Sequence, residues 1–230
     1  MIKTDLHIHS CLSPCAEDAM TPEAIAAAAK KAGLALIALT DHNSARNCYA
    51  MAHSAAAVGL GFIPGMEVTT SEELHCICLF PDVPKASAFS RWLDTLRSNI
   101  PNRPSVFGRQ TIVGNAGKRI EERELLFAAR QISVTELPAA VRQYGGLIWC
   151  AHADRSYSSL YSVLGCWPKE LTMDAVELCE AEVPADLPSG LPCLRASNAH
   201  RLLDLQSFGG FELPLKSADF AGLRDYLQKK

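Results

Sequence analysis

No run of about 18 apolar residues occurs in this sequence, so no segment reads as a membrane-spanning helix. No Cys-x-x-Cys pair occurs, so the zinc-ribbon and dithiol-redox patterns are absent. Neither an internal repeat nor a low-complexity tract stands out. An excess of charge of either sign is also missing: 22 Lys and Arg against 25 Asp and Glu leave −3 over 230 residues. That balance, with no basic tract, weighs against a long nucleic acid or an acidic membrane as partner, while leaving room for a small basic pocket. The opening residues, Met1 to His7, set Asp5 and His7 where an export signal is apolar, so a cytoplasmic location is expected. Nine cysteines, an odd number, fit a reducing compartment. Cys76 and Cys78 read as small core or barrel-facing residues. Cys11 and Cys15, near a histidine cluster, are read as packing residues in preference to metal or redox groups.

What is present is an ordinary globular balance, 48% apolar and 20% charged, long enough to bury a core. Residues 2–9 alternate with period two and predict a strand. Thr21 as N-cap, Pro22 at the first turn and Gly33 as stop predict a helix over 22–32. The apolar run 34–39 predicts a strand buried on both faces. Helices are expected at 44–58, 85–98, 121–130, 135–144 and 156–165, and strands at 61–68, 74–80, 147–151, 175–178 and 193–197. The stretch from about 99 to 120, rich in Pro, Gly and basic residues, reads as a long loop excursion, and 183–192 as a loop. Ser217 is the expected cap of a last helix with Phe220, Leu223 and Leu227 on one stripe. Strands alternating with helices point to a parallel α/β architecture, and no composition break marks a second domain in residues 1–230.

Six of the seven histidines fall at or just after expected strands: His7, His9, His42, His75, His152 and His200. Glu67 closes another. The carboxyl ends of parallel strands converge on one face, so these scattered residues are expected to meet. Residues i and i+2 of a strand share a side, which aligns His7 with His9. Imidazoles and a carboxylate converging on one point are ligands for Zn, Mn or Fe. His53, mid-helix among alanines, is given no site role.

The ordered set resembles the PHP family (polymerase and histidinol phosphatase). Asp5-Leu6-His7-Ile8-His9-Ser10, Thr40-Asp41-His42, Gly65-Met66-Glu67, Glu72-Glu73-Leu74-His75, Ala151-His152 and Ser197-Asn198-Ala199-His200 are similar to its motifs. The resemblance implies a distorted TIM-like barrel of about seven β/α units with mostly parallel strands. It implies two or three divalent ions (Zn, Mn or Fe rather than Mg) held by His7, His9, His42, Glu67, His75, His152, Asn198 and His200. A further ligand ahead of the Thr-Pro helix start falls on Glu17, with Asp18 as its neighbouring alternative. Asn198 stands where the family has aspartate, and an amide carries no charge. The implied reaction is hydrolysis of a small phosphoester, a nucleotide or metabolite phosphate, by metal-activated hydroxide. Glu67 is expected to bridge ions. Asp41 is expected either to orient His7, His9 or a water, or to cap the helix at 44–58. Arg155, and less directly Arg109, Arg119 and Arg201, are candidate phosphate contacts. The alternatives are a metal-loaded but inactive regulatory or scaffold domain, suggested by Asn198, and a nuclease acting on nucleotide ends. Nothing in the sequence speaks to oligomeric state.

Overall fold

A computed structural model describes residues 1–114, 117–180 and 183–228. Two residues of the 99–120 excursion, 115–116, thus lie outside the described residues. Ten strands are described: β1 (Ile2–Asp5), β2 (Leu36–Leu39), β3 (Gly61–Thr69), β4 (His75–Leu79), β5 (Thr111–Val113), β6 (Arg119–Glu121), β7 (Leu147–Cys150), β8 (Ala175–Glu177), β9 (Cys193–Leu194) and β10 (Phe211–Leu213). Eight of them form one sheet in the order β10-β1-β2-β3-β4-β7-β8-β9, while β5 and β6 pair separately. A parallel bridge between Ile8 and Ala199 links the β9 side back to β1, and the sheet curls into a nearly closed barrel. The His9 N–H donates to the Ala199 carbonyl at 3.0 Å across that seam. β10 lies antiparallel on the lower edge of β1.

The helices are α1 (Pro22–Lys31), α2 (Cys48–Ala57), α3 (Val83–Leu93), α4 (Pro104–Phe107), α5 (Leu137–Gln143), α6 (Leu160–Leu164), α7 (Leu202–Phe208) and α8 (Phe220–Leu227). None among the described residues is long and apolar enough to cross a membrane. The pleat divides the core. Leu36, Ala38, Ile63, Ile77, Leu79, Leu147 and Trp149 fill the barrel interior together with Phe220, Leu223 and Leu227 of α8. Ile37, Leu39, Cys76, Cys78, Ile148 and Cys150 face outward onto the helices. Cys76 and Cys78 are therefore core residues on the helix-facing side. Gly65 is required by a close approach, since a Cβ there would fall 2.6 Å from the Cys78 carbonyl oxygen.

Four local expectations are corrected. The strand expected at 2–9 is regular only to Asp5: Leu6 belongs to the interior cluster and Ile8 to the outer one, so the pleat changes phase between them. Asp5 Oδ1 accepts from the backbone N–H groups of His7 and Ser197, which holds this irregular step in place. β4 runs antiparallel to both β3 and β7, so His75 reaches the barrel mouth from the start of its strand and not from the end. No helix forms at 121–130. The buried Gln110 side chain donates to the carbonyls of Glu122 and Glu124 and accepts from the Leu126 N–H, taking groups that a helix needs. Glu122 and Glu124 turn instead to Arg46 and Arg97. Tertiary contacts of this kind override helix propensity. Finally, Asp219 caps α8, accepting from the Gly222 N–H, and Ser217 donates to that cap.

Candidate metal centre

The phase change after Asp5 turns His7 and His9 into the barrel mouth. The ends of β2 and β3 bring His42 beside Glu67 through a parallel bridge. The antiparallel β4 adds His75, and the turns after β7 and β9 add His152 and His200. The result is one buried carboxylate ringed by imidazoles. Glu67 Oε1 lies 3.0 Å from His75 Nδ1, 3.2 Å from His152 Nε2 and 3.3 Å from His7 Nε2. Its Oε2 lies 3.2 Å from His42 Nδ1 and 3.3 Å from His9 Nε2. His200 stacks on His9 with ring centroids 4.3 Å apart.

The protons on two of these rings are fixed by their outer partners. The Glu177 carboxylate meets His7 Nδ1 at 3.0 and 3.2 Å and also accepts from the His152 N–H. The latter bond steadies His152 at φ 31°, a left-handed conformation. His9 Nδ1 faces Ser13 Oγ at 2.9 Å, and that hydroxyl donates to Asp41 Oδ1 at 2.7 Å. With its one proton committed to Asp41, Ser13 accepts from His9 Nδ1 and from the His42 N–H. Both imidazoles thus carry hydrogen on Nδ1 and turn Nε2 inward, where the two Nε2 atoms stand 3.1 Å apart. Bare lone pairs at that distance, beside a carboxylate, require a positive charge between them. His75 Nε2, His152 Nδ1 and Asn198 Oδ1 are buried without hydrogen-bond partners. The donor set therefore fits a divalent-cation centre.

The electrostatics agree. Burial favours neutral Glu67, but the charges of His75, His7 and His42 hold it well below the ordinary carboxylate range. Burial opposes a charged His7, yet Glu177 and Glu67 flank it and raise it to about 10. Burial and the neighbouring His200 lower His9 to about 3. In the metal-free protein, then, His7 carries a proton between its two carboxylates.

Asp41 does not cap α2, which begins at Cys48 and follows Asn47. It accepts from the N–H and Oγ of Ser10 and from Ser13 Oγ, so its reach to His9 passes through Ser13. Burial pushes Asp41 up to about 6 against those hydrogen bonds, leaving it ionised at neutral pH. Glu17 is exposed, with its N–H donating to the His200 carbonyl, and Asp18 lines a side cavity. The donor groups found among the described residues include neither, and Cys15 stands in that place instead. Arg155 lies over Tyr157, 4.1 Å from the ring centroid, and burial with the Glu67 charge pushes the Cys15 thiol up to about 12 against the pull of Arg155. Arg109 and Arg119 line a cavity of about 440 Å³ with Asp18. Arg201 is tied to Asp204. His53 packs on Tyr49, away from the cup.

Sequence reasoning missed four contributors. Glu177 closes a short strand and was visible as an acid at a strand end. Ser13 and Cys15 lie in a loop with no periodic signal. Phe127 sits edge-on to His42 and His75, placed by Asn43, which donates to the Leu126 and Ala128 carbonyls.

Known structures share this fold. The lesion-specific endonuclease PfuEndoQ from Pyrococcus furiosus matches with a TM-score of 0.68 at 20% identity, over 99% of this chain and 56% of its own. Endonuclease Q in complex with a 27-mer duplex substrate, an abasic lesion at its active site, matches with a TM-score of 0.66 at 21% identity, over 99% and 56%. A protein assigned as a metal-dependent phosphoesterase, from Bifidobacterium adolescentis, matches with a TM-score of 0.61 at 16% identity, over 98% and 96%. The chain thus spans about half the length of the endonucleases it resembles. No curated protein matches it. The inference from a net charge of −3 against a long nucleic acid is overturned by the second of these structures: duplex DNA is engaged by a protein that contains this fold. Charge summed over a chain does not report the local surface that meets a phosphate backbone. The PHP domain model matches residues 5–160, more than half of the sequence, and the chain belongs to the PHP family.

Proposed function

We propose that this chain is a metal-dependent phosphoester hydrolase whose centre is the cup around Glu67. The observation that carries the reading is the pair of inward Nε2 atoms of His7 and His9, 3.1 Å apart beside a buried carboxylate. His7, His9 and Glu67 would hold one ion and His75, His152 and Glu67 another, with Glu67 shared. His200 and Asn198 stand at the edge. When bound, the ions supply Lewis-acid stabilisation of phosphoryl charge and an acidified water.

The chain's own residues prepare that chemistry. Glu177 and the Ser13–Asp41 pair keep the Nδ1 protons of His7 and His9 pointing outward. Phe127 walls one side against solvent. Arg155, positioned over the Tyr157 ring, provides a cation for a substrate phosphate. Asn198 is a neutral donor at the edge and does not remove the principal ligands.

A nuclease reading is supported by a specific surface. The 99–124 segment carries exposed Arg103, Arg109, Lys118, Arg119 and Arg123 beside exposed Phe107 and Ile120, which suits a phosphate backbone and unstacked bases. The test is phosphate or strand release with Mn or Zn added, on nucleotides, small phosphomonoesters and duplex DNA with and without an abasic site. Activity on one class that disappears in His9→Ala supports the proposal and names the class. Zinc-loaded protein inert on all of them would leave the inactive scaffold reading instead.

A further inference from the structure

His9, His42, His200 and Cys15 each place one ligand atom within 4.8 Å of the others. Cys15 Sγ is 3.3 Å from His42 Nε2. His42 turns its other nitrogen to Glu67, so Nε2 is left for the sulfur side. His200 Nδ1 lies 2.7 Å from the Asn198 carbonyl oxygen. A carbonyl only accepts, so that nitrogen bears the proton and Nε2 of His200 is bare. His9, oriented likewise through Ser13, gives its Nε2 to the Glu67 side.

The loop that presents Cys15 is clamped from outside. Thr111 N–H donates to the Cys11 carbonyl at 2.7 Å, and Asn47 Nδ2 reaches both Ser10 Oγ and the Thr111 carbonyl. Gly108 lies against Pro14 so closely that a Cβ would fall 1.9 Å from the Pro14 carbonyl oxygen. The sulfur is thereby held at the mouth of the cup.

We infer that Cys15, as a thiolate, completes a third cation position with His42 and His200. This inference rests on the reading of the cup as a metal centre. The family resemblance implies a carboxylate, Glu17, for this ligand. A sulfur there changes the chemistry: thiolate with imidazoles selects Zn(II) or Co(II) over Mn(II) and Mg(II), which prefer oxygen. The position is therefore soft, while the positions built on Glu67 accept harder ions as well.

The test is Co(II) loading of the reduced, full-length chain, followed by optical absorption and zinc counting. Wild type is expected to show an intense near-ultraviolet sulfur-to-cobalt charge-transfer band and to bind about one more zinc per chain than Cys15→Ser. Cys15→Ser loses the band, whereas Cys11→Ser keeps it. Cys15→His restores the zinc count without the band, which separates lost ligation from misfolding. Cobalt bound with visible ligand-field bands but no sulfur band overturns this inference and leaves the metal centre standing. No cobalt binding at all overturns both. A band that survives in Cys15→Ser also overturns it, since the sulfur would then be another residue's.

Discussion

The carboxylate of Glu177 meets His7 Nδ1 at 3.0 and 3.2 Å, from the side of the ring opposite Glu67. The acid fixes which nitrogen carries hydrogen and so which one is free to bind an ion. Glu177→Ala should weaken zinc binding by about 10- to 100-fold, the usual range for such a partner. Glu177→Gln, which can still accept from Nδ1, should lose less. Competition with a chromophoric chelator measures both. Equal affinity in all three proteins would show that the contact is incidental.

Ser13 links Asp41 to His9 and also accepts from the His42 N–H. In Ser13→Ala two buried donors lose their acceptor, and metal-free stability should fall by about 1–3 kcal/mol. Zinc affinity should fall too, because His9 then rotates freely between tautomers. Urea unfolding with chelator present isolates the first effect, and zinc titration reads the second. A variant as stable as wild type argues against a single committed hydrogen-bond pattern at Ser13.

Zinc affinity should rise with pH. His7, raised to about 10 by its two flanking carboxylates despite burial, must release its proton before Nε2 can bind an ion. Below that value, apparent affinity should drop about tenfold per pH unit for each proton displaced. In the metal-free protein the sign for folding is opposite. The raised His7 contributes stability that is fully present below 6.5 and lost as pH rises through about 10. Chelator competition and chelated thermal melts across this range check the pair. Affinity that stays flat with pH would mean that His7 holds no proton in the metal-free cup.

Asn198 sits at φ 49°, and its Oδ1 is buried without a partner. Aspartate tolerates the same backbone region, so Asn198→Asp should fold. It adds a buried negative charge two residues from His200, whose ring meets the residue 198 carbonyl, and should therefore tighten zinc by roughly tenfold, while lowering metal-free stability. Isothermal titration and melting with and without zinc measure the two effects. A variant that binds zinc no better would mean that the side chain does not reach an ion. A large rise in hydrolysis would identify the wild-type site as an attenuated one.

The histidines were legible because chemistry at strand ends leaves a mark: a polar residue interrupts an apolar run just where a strand stops. Glu177 bore the same mark but stood alone, and a single acid at a strand end is usually solvated. Ser13 had no mark, since a hydroxyl in a loop becomes a switch for tautomers only once Asp41 has folded against it. Glu17, implied by the resemblance with Asp18 as its alternative, is exposed and outside the donor clusters of the described residues, because spacing along the chain does not say which side chain a loop turns inward. The missing helix at 121–130 follows from Gln110, a remote buried amide that claims the backbone. The reversal of β4 hangs on a tight turn between Thr69 and His75, too short to announce direction.

That reversal has a consequence for how the centre could change over time. Glu67 and His75 lie on one hairpin in fixed register, Thr69 opposite His75 and Glu67 opposite Ile77. Insertions between other ligands can be absorbed by helices and long connections. An insertion within either paired strand would shift every cross-strand partner, so this pair is the rigid gauge against which the rest of the cup is free to diversify.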